Sequence, residues 1–100
     1  MTLTRLAAAA SFSPAKASKT ALAEGRHAKV SLWCLEPGQD IHPHVHEGDH
    51  AWVVTEGEGW FLTADAEQPV SAGTFLFAPE GEAHGMRAKT RLTFVSVSAG

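Results

Sequence analysis

Apolar and polar residues alternate along most of this chain, with the two-residue period of a strand. HAKVSLWCLEPG (His27 to Gly38) alternates and stops at Pro37-Gly38, a turn signal. AWVVTEG (Ala51 to Gly57) is a strand ended by its glycine. EGEGWFLTADAEQPV (Glu56 to Val70) reads as a hairpin with its tip near Ala64 to Glu67. GTFLFAPEGEAH (Gly73 to His84) carries a strand and then a Pro-Glu-Gly turn, and RLTFVSVSAG (Arg91 to Gly100) closes the chain with β-branched and aromatic residues. Short strands at this spacing, punctuated by turns, predict an all-β sandwich or barrel. No helical period of useful length appears after the first residues. Residues 1–25 are rich in Ala, Ser, Thr and Lys and read as an N-terminal arm with room for one short strand. Residues 26–100 are expected to form the barrel domain.

Composition narrows the partners. A chain of 100 residues is one domain. Its core is modest and its surface large, so a homodimer is expected, with the arm free to add a strand to the neighbour's sheet. A net charge of −3 argues against nucleic acid, which requires a basic face. No apolar run is long enough to span a membrane. The opening MTLTRLAAAASFSPAKA loosely follows the layout of a signal peptide, but its apolar stretch is too short. With the single Cys34 read as a buried, inert thiol, the expectation is a cytoplasmic protein.

The chemistry concentrates in histidine. GQDIHPHVHEGDHAWVVTEG (Gly38 to Gly57) reads G-x5-H-x-H-x3-H-x6-G, and the segment Gly73 to His84 reads G-x5-P-x-G-x2-H. A lone strand histidine is most often structural or exposed. His44, His46, His50 and His84 in this arrangement point instead to a metal. Residues two apart on a strand share a face and sit roughly 6.6 Å apart, so two rings leaning inward reach one ion at about 2.1 Å from each nitrogen. Glu47-Gly48-Asp49 reads as a turn that Asp49 caps, with His50 opening the next strand. Glu47 follows His46 directly and is expected to face away. His84 joins the others only if the sheet curves or closes. His42 shares parity with His44 across Pro43 and is expected at the pocket rim, as the one candidate general base. Trp52 and Val54 share parity with His50, Met86 shares it with His84, and Phe75 and Phe77 form one face of their strand. Core is the plain reading of these five. The sharper one makes them the lining of an apolar pocket beside the metal. Trp33 and Trp60 are expected to face a partner subunit.

Both histidine segments resemble the two motifs of the cupin superfamily, of the small single-domain kind. The resemblance runs from Gly38 to His84, and the flanking strand patterns extend it over most of the chain. It implies a single small antiparallel β-barrel, a double-stranded jelly roll. In that family the first motif usually supplies two His and a Glu, and the second one His. The resemblance thus assigns His44, His46 and His84 to the His positions. It puts His50 where the Glu usually stands, a departure. Ala88 stands where the second motif often ends in Asn, a departure at a position that is not a ligand.

Four neutral imidazoles would leave one divalent transition metal ion (Fe, Mn, Ni, Cu or Zn) with its full charge. Such an ion favours anionic ligands and acts as a stronger Lewis acid. Ligation needs neutral imidazoles, so affinity should fall as pH drops below roughly 6. Two readings remain open. One is a metal-dependent oxygenase or isomerase acting on a small oxygenated molecule, a dicarbonyl or enolisable acid. The other is a non-catalytic module that binds a small anion or a metal. Fold does not choose between them.

Overall fold

Strands form where the alternation places them, and they pair into two antiparallel sheets. The structure, a computed structural model, describes residues 1–100. One short helical turn, α1 (Leu6–Ala9), precedes nine strands. These are β1 (Ser18–Glu24), β2 (Ala28–Leu35), β3 (Asp40–His44), β4 (Asp49–Glu56), β5 (Glu58–Leu62), β6 (Glu67–Ser71), β7 (Phe75–Ala78), β8 (His84–Ala88) and β9 (Leu92–Ala99). The larger sheet runs β1-β2-β9-β4-β7 and the smaller β3-β8-β5-β6. Strands that neighbour in space but not in sequence make this a double-stranded β-helix, as the cupin resemblance implied. No helix is long and apolar enough to cross a membrane.

Register decides what fills the space between the sheets. Cross-strand partners share a face, and four rows of the larger sheet point inward. The first is Leu35 with Leu92, and the second is Trp33, Phe94 and Val54. Ser31, Ser96, Trp52 and Leu76 make the third, and Lys29, Ser98, His50 and Ala78 the fourth. The inward face therefore grades from wholly apolar at one end to polar at the other. The apolar rows meet Ile41, Phe61, Val70, Met86 and Ala88 of the smaller sheet in one core cluster. Phe94, Leu92, Leu35 and Met86 are fully buried there.

The outer face of the larger sheet corrects one expectation. Phe75 and Phe77 do face the same way, but away from the barrel, and they are 63% and 53% exposed. Leu76, between them, packs on the core. They line no pocket beside the imidazoles. The alternation identified the two faces of β7, and the bulkier pair lies on the outer one.

The arm is also placed differently from the expectation. β1 pairs with β2 of its own chain, from Ser18↔Cys34 to Glu24↔Lys29. Ahead of it, Leu6, Ala7, Ala10 and Phe12 face Leu32 across a small cavity of about 250 Å³. Leu32 and Cys34 point outward from β2 yet are buried. Two contacts hold the arm down. Gln39 Nε2 donates to the Ser13 carbonyl at 2.7 Å, and the Arg91 guanidinium lies 4.3 Å over the Phe12 ring. Arg91 is itself fixed by Glu36, whose carboxyl it holds below the usual carboxylate range through their hydrogen bonds.

Phe94 sits at the centre of the aromatic packing. It stacks near Trp33 at 6.1 Å and against Trp52 at 4.7 Å. Phe94→Ala is expected to cost about 3–5 kcal/mol, through lost transfer energy and the cavity left behind. Urea unfolding checks it: the midpoint should fall sharply with an unchanged slope.

Candidate metal centre

Two loops and two strand ends build the site, and each is set by local sequence. β3 pairs with β8 through Ile41↔Met86, then bulges, then resumes at His44↔His84. The bulge breaks simple alternation. Ile41 and His44 both face inward although they are an odd number of residues apart. The bulge needs Gly85. A Cβ there would collide with the Ile41 carbonyl oxygen and lie 2.8 Å from the Pro43 nitrogen. The glycine lets β3 approach closely enough to set His44 opposite His84.

His46 stands beyond the end of β3, in the loop to β4. Gly48 turns that loop with φ +79°, a conformation that side-chain-bearing residues rarely adopt. The loop is clasped to the turn after β7. The Gly48 N–H donates to Glu80 Oε2 at 2.6 Å, and the Glu80 N–H donates to Asp49 Oδ1 at 3.0 Å. Asp49 thus caps the other loop, not its own. The Pro79-Glu80-Gly81 turn of the second motif is tied directly to the Glu47-Gly48-Asp49 turn of the first.

The result is a cluster. Ring nitrogens of His44, His46 and His84 lie within 4.8 Å of one another, an arrangement that could hold a metal ion. His50 stands next to them, with ring centroids 4.8 Å from both His46 and His84. Its Nε2 is buried without any hydrogen-bond partner. The other ring nitrogens show which way the lone pairs point. His44 Nδ1 lies 2.7 Å from the His42 carbonyl and His84 Nδ1 lies 2.9 Å from the Glu82 carbonyl. A carbonyl only accepts, so both Nδ1 atoms carry a proton, and in the neutral ring that leaves the lone pair on Nε2. His50 Nδ1 lies 3.1 Å from Ser98 Oγ, which suits the same tautomer. Held in this way, imidazoles are oriented for metal ligation. An orphaned buried Nε2 among other imidazoles fits a cation and would otherwise be costly.

Beside the cluster opens a cavity of about 450 Å³. Trp52 lines it and meets the His84 ring edge-on at 5.3 Å. Val54 and Met86 do not line it; both lie deeper, in the core, and for them the plain reading is the right one. His42 is a second correction. The bulge turns its side chain to a separate outer cleft shared with Asp40, Asp65 and Arg87, and only its carbonyl serves the site. Glu47 is a third. It lines the cavity that the imidazoles line, because it stands in a loop where strand parity no longer applies.

Five lining residues come from outside the two motifs: Lys19, Lys29, Trp33, Ser96 and Ser98. The signal for three of them lay in register. On β9 the inward positions change from Leu92 and Phe94 to Ser96 and Ser98, and on β2 from Leu35 and Trp33 to Ser31 and Lys29. A strand that turns polar on its inner face marks where a core ends and a cavity begins. Trp33 faces this cavity and the core. Trp60 lies on the outer face of the smaller sheet, beneath the Arg87 guanidinium at 4.8 Å.

Desolvation, followed by the neighbouring imidazoles of His44, His50 and His84, holds His46 below the ordinary His range. Desolvation and then His84 do the same for His50. His46 is the most exposed residue of the four, yet desolvation is still its largest contribution. Both groups resist protonation more in the folded than in the unfolded chain. Their neutral state therefore supports folding above the ordinary value of 6.5, and that support is lost as pH falls below it. The metal-free protein should melt at progressively lower temperature from pH 7.5 to pH 5. His50→Gln should flatten that slope, which thermal scans on both proteins would reveal.

The chain resembles known proteins over nearly its whole length. Residues 31–98 match the family described as Cupin domain. A solved RmlC-like cupin protein from Desulfovibrio desulfuricans is 31% identical, with a TM-score of 0.92 over 99% of this chain and 96% of that one. The solved TT1209 protein from Thermus thermophilus is 30% identical, with a TM-score of 0.92 over 99% of this chain and 97% of that one. An uncharacterized conserved protein with a double-stranded β-helix domain, from Klebsiella pneumoniae, is 27% identical, with a TM-score of 0.91 over 97% and 88%. No curated protein matches. The family match and the 31% identical cupin, joined to two antiparallel sheets closed around clustered histidines, place this chain in the cupin family.

Proposed function

We propose that this cupin binds one divalent transition metal through His44, His46, His50 and His84, and takes a small oxygen-bearing molecule beside it. The observation that carries this is the unpartnered, buried Nε2 of His50 next to three imidazoles whose nitrogens already converge. A bound ion would supply Lewis acidity toward a carbonyl or enolate oxygen. The chain's own residues do the rest. Ser98 and the His42 and Glu82 carbonyls orient the rings. Trp52 walls the inner side of the cavity. Glu47 is the carboxylate in that cavity, so it replaces His42 as the group placed to accept or return a proton. This favours the enzyme reading, an oxygenase or isomerase of dicarbonyls or enolisable acids. A binding module is the competing outcome.

Metal stoichiometry by mass spectrometry on purified variants is the first test. His46→Ala and His84→Ala should each lose most of the metal. His50→Ala should lose it too, whereas His50→Glu should keep it. Gly85→Ala should also lower occupancy, although it removes no ligand, because it pushes β3 from β8. Full retention in the alanine variants would place the metal elsewhere. Retention in His50→Ala alone would reduce the shell to three histidines. O₂ uptake and isomerisation assays against dicarbonyls then separate enzyme from binding module, with Glu47→Gln expected to lower kcat at least tenfold.

We further propose that a second copy covers the outer face of the larger sheet. Ala51, Val53, Phe75, Phe77, Val95 and Val97 share that face by register, and none of them carries charge. Such a face suits an isologous contact with its own twin. Light scattering should give about twice the 10.6 kDa chain mass, and Phe75→Ser with Phe77→Ser should halve it. A monomeric wild-type protein would end the proposal.

A further inference from the structure

The cavity beside the imidazoles has an electrostatic end of its own, at the edge formed by β1 and β2. Lys19 and Lys29 both line it. Lys29 lies on the inward row that continues through Ser98 to His50. Two inter-strand spacings separate its backbone from that of His50, roughly 10 Å. Lys29 does pair with Glu24 at 3.7 Å, but both side chains are largely exposed, at 71% and 69%. An ion pair so exposed is weak and does not hold the ammonium away from a better partner. Lys19 has no carboxylate within ion-pair distance. Its ammonium lies 5.5 Å over the Trp33 ring, which is itself backed by Phe94.

We propose that this end of the cavity binds the carboxylate of a small monocarboxylic acid between Lys19 and Lys29, with the acid's apolar body against Trp33. The proposal rests on the metal-site reading for the other end of the ligand, where an oxygen would meet the imidazole cluster. Charge selects a monoanion. Two lysines face one carboxylate, Glu47, so apart from the imidazoles the lining carries an excess of one positive charge before any metal is added. A phosphate dianion would meet Glu47 across the same space. Two compact ammonium groups, with no arginine fork in the lining, also lack the geometry that grips phosphate in bidentate fashion. Trp33 and Trp52 supply flat apolar walls for a short carbon body, and the volume suits a molecule of that size. The hydroxyls of Ser96 and Ser98 lie between the two ends and give a polar floor for a further oxygen.

The test uses benzoate as probe, with benzamide and inorganic phosphate as controls, by titration calorimetry on the full chain. Metal content is measured first, and each titration is run on metal-loaded and metal-free protein. Benzoate should bind saturably, with benzamide and phosphate at least tenfold weaker. Lys19→Gln with Lys29→Gln should weaken benzoate at least tenfold while metal content stays unchanged. Glu47→Gln should tighten it a few-fold, an independent check that does not depend on the lysine variant. Equal benzoate affinity in wild type and the double lysine variant overturns the proposal, as does phosphate binding more tightly than benzoate. The two readings fail separately. Lysine-dependent benzoate binding without metal uptake would sink the metal centre alone. Metal uptake with lysine-independent benzoate binding would sink only the carboxylate grip.

Discussion

β9 pairs along its whole length with β2 on one side and from Thr93 to Ala99 with β4 on the other, and this double register is the constraint on which the site depends. Because partners across a ladder share a face, one strand's inward residues dictate which residues of its neighbours meet them. Leu92 and Phe94 gather Leu35, Trp33 and Val54 into the core. Ser96 and Ser98 gather Ser31, Lys29, Trp52 and His50 around the cavity. A slip of one residue would turn every one of these to the other face. It would put Thr93, Val95 and Val97 inside, and His50 would lose Ser98, the partner that orients it.

The imidazoles need a second constraint, because they do not come from one strand. His44 and His84 meet across the β3–β8 pairing, and His46 and His50 flank a glycine turn. The close approach permitted by Gly85 and the Asp49–Glu80 clasp bring these three sources together. Each clasp hydrogen bond is exposed and ends on a carboxylate, so each contributes on the order of 1–3 kcal/mol at most. Their value is positional. The segment that carries the histidines has little apolar surface of its own to bury, and Val45 within it is 59% exposed. Without the clasp, little would fix its conformation.

Much of this was legible in the sequence. The strands β2, β4, β5, β6, β7 and β9 follow from alternation and turn residues, and the hairpin tip falls between Leu62 and Glu67 where the turn signal lies. β8 is harder: HGMRA carries no alternation that separates it from a loop. Parity served well inside regular strands and failed where the chain leaves them. It misplaced His42 because a bulge intervenes, and it misplaced Glu47 because a loop has no parity. It separated the faces of β7 but could not say which one looks inward, since the two phenylalanines are the bulkier pair. That the lysines line the cavity was harder to read for a different reason. Lys19 reaches the site only through the pairing of β1 with β2, and Lys29 only through the pairing of β2 with β9; a single strand's pattern does not announce its partner.

The polar end of the barrel explains how so short a chain carries a site at all. Core and cavity share the same strands, so each residue of strand length given to the cavity is one withheld from the core. The apolar rows compensate by dense aromatic packing, a continuous run from Trp33 through Phe94 and Trp52 to Phe61. Trp52 belongs to both regions, touching Phe94 and Phe61 on one side and the His84 ring on the other. It is the side chain through which the rigid half of the barrel supports the imidazoles. The arm then shields the outward-facing Leu32, surface that the barrel alone would leave in water. Burying a leucine is worth about 1.5–3 kcal/mol, which is a considerable fraction of the net stability of a domain this size. The residues ahead of β1 thus act as part of the core's outer wall, and the barrel's stability extends beyond the strands that enclose its site.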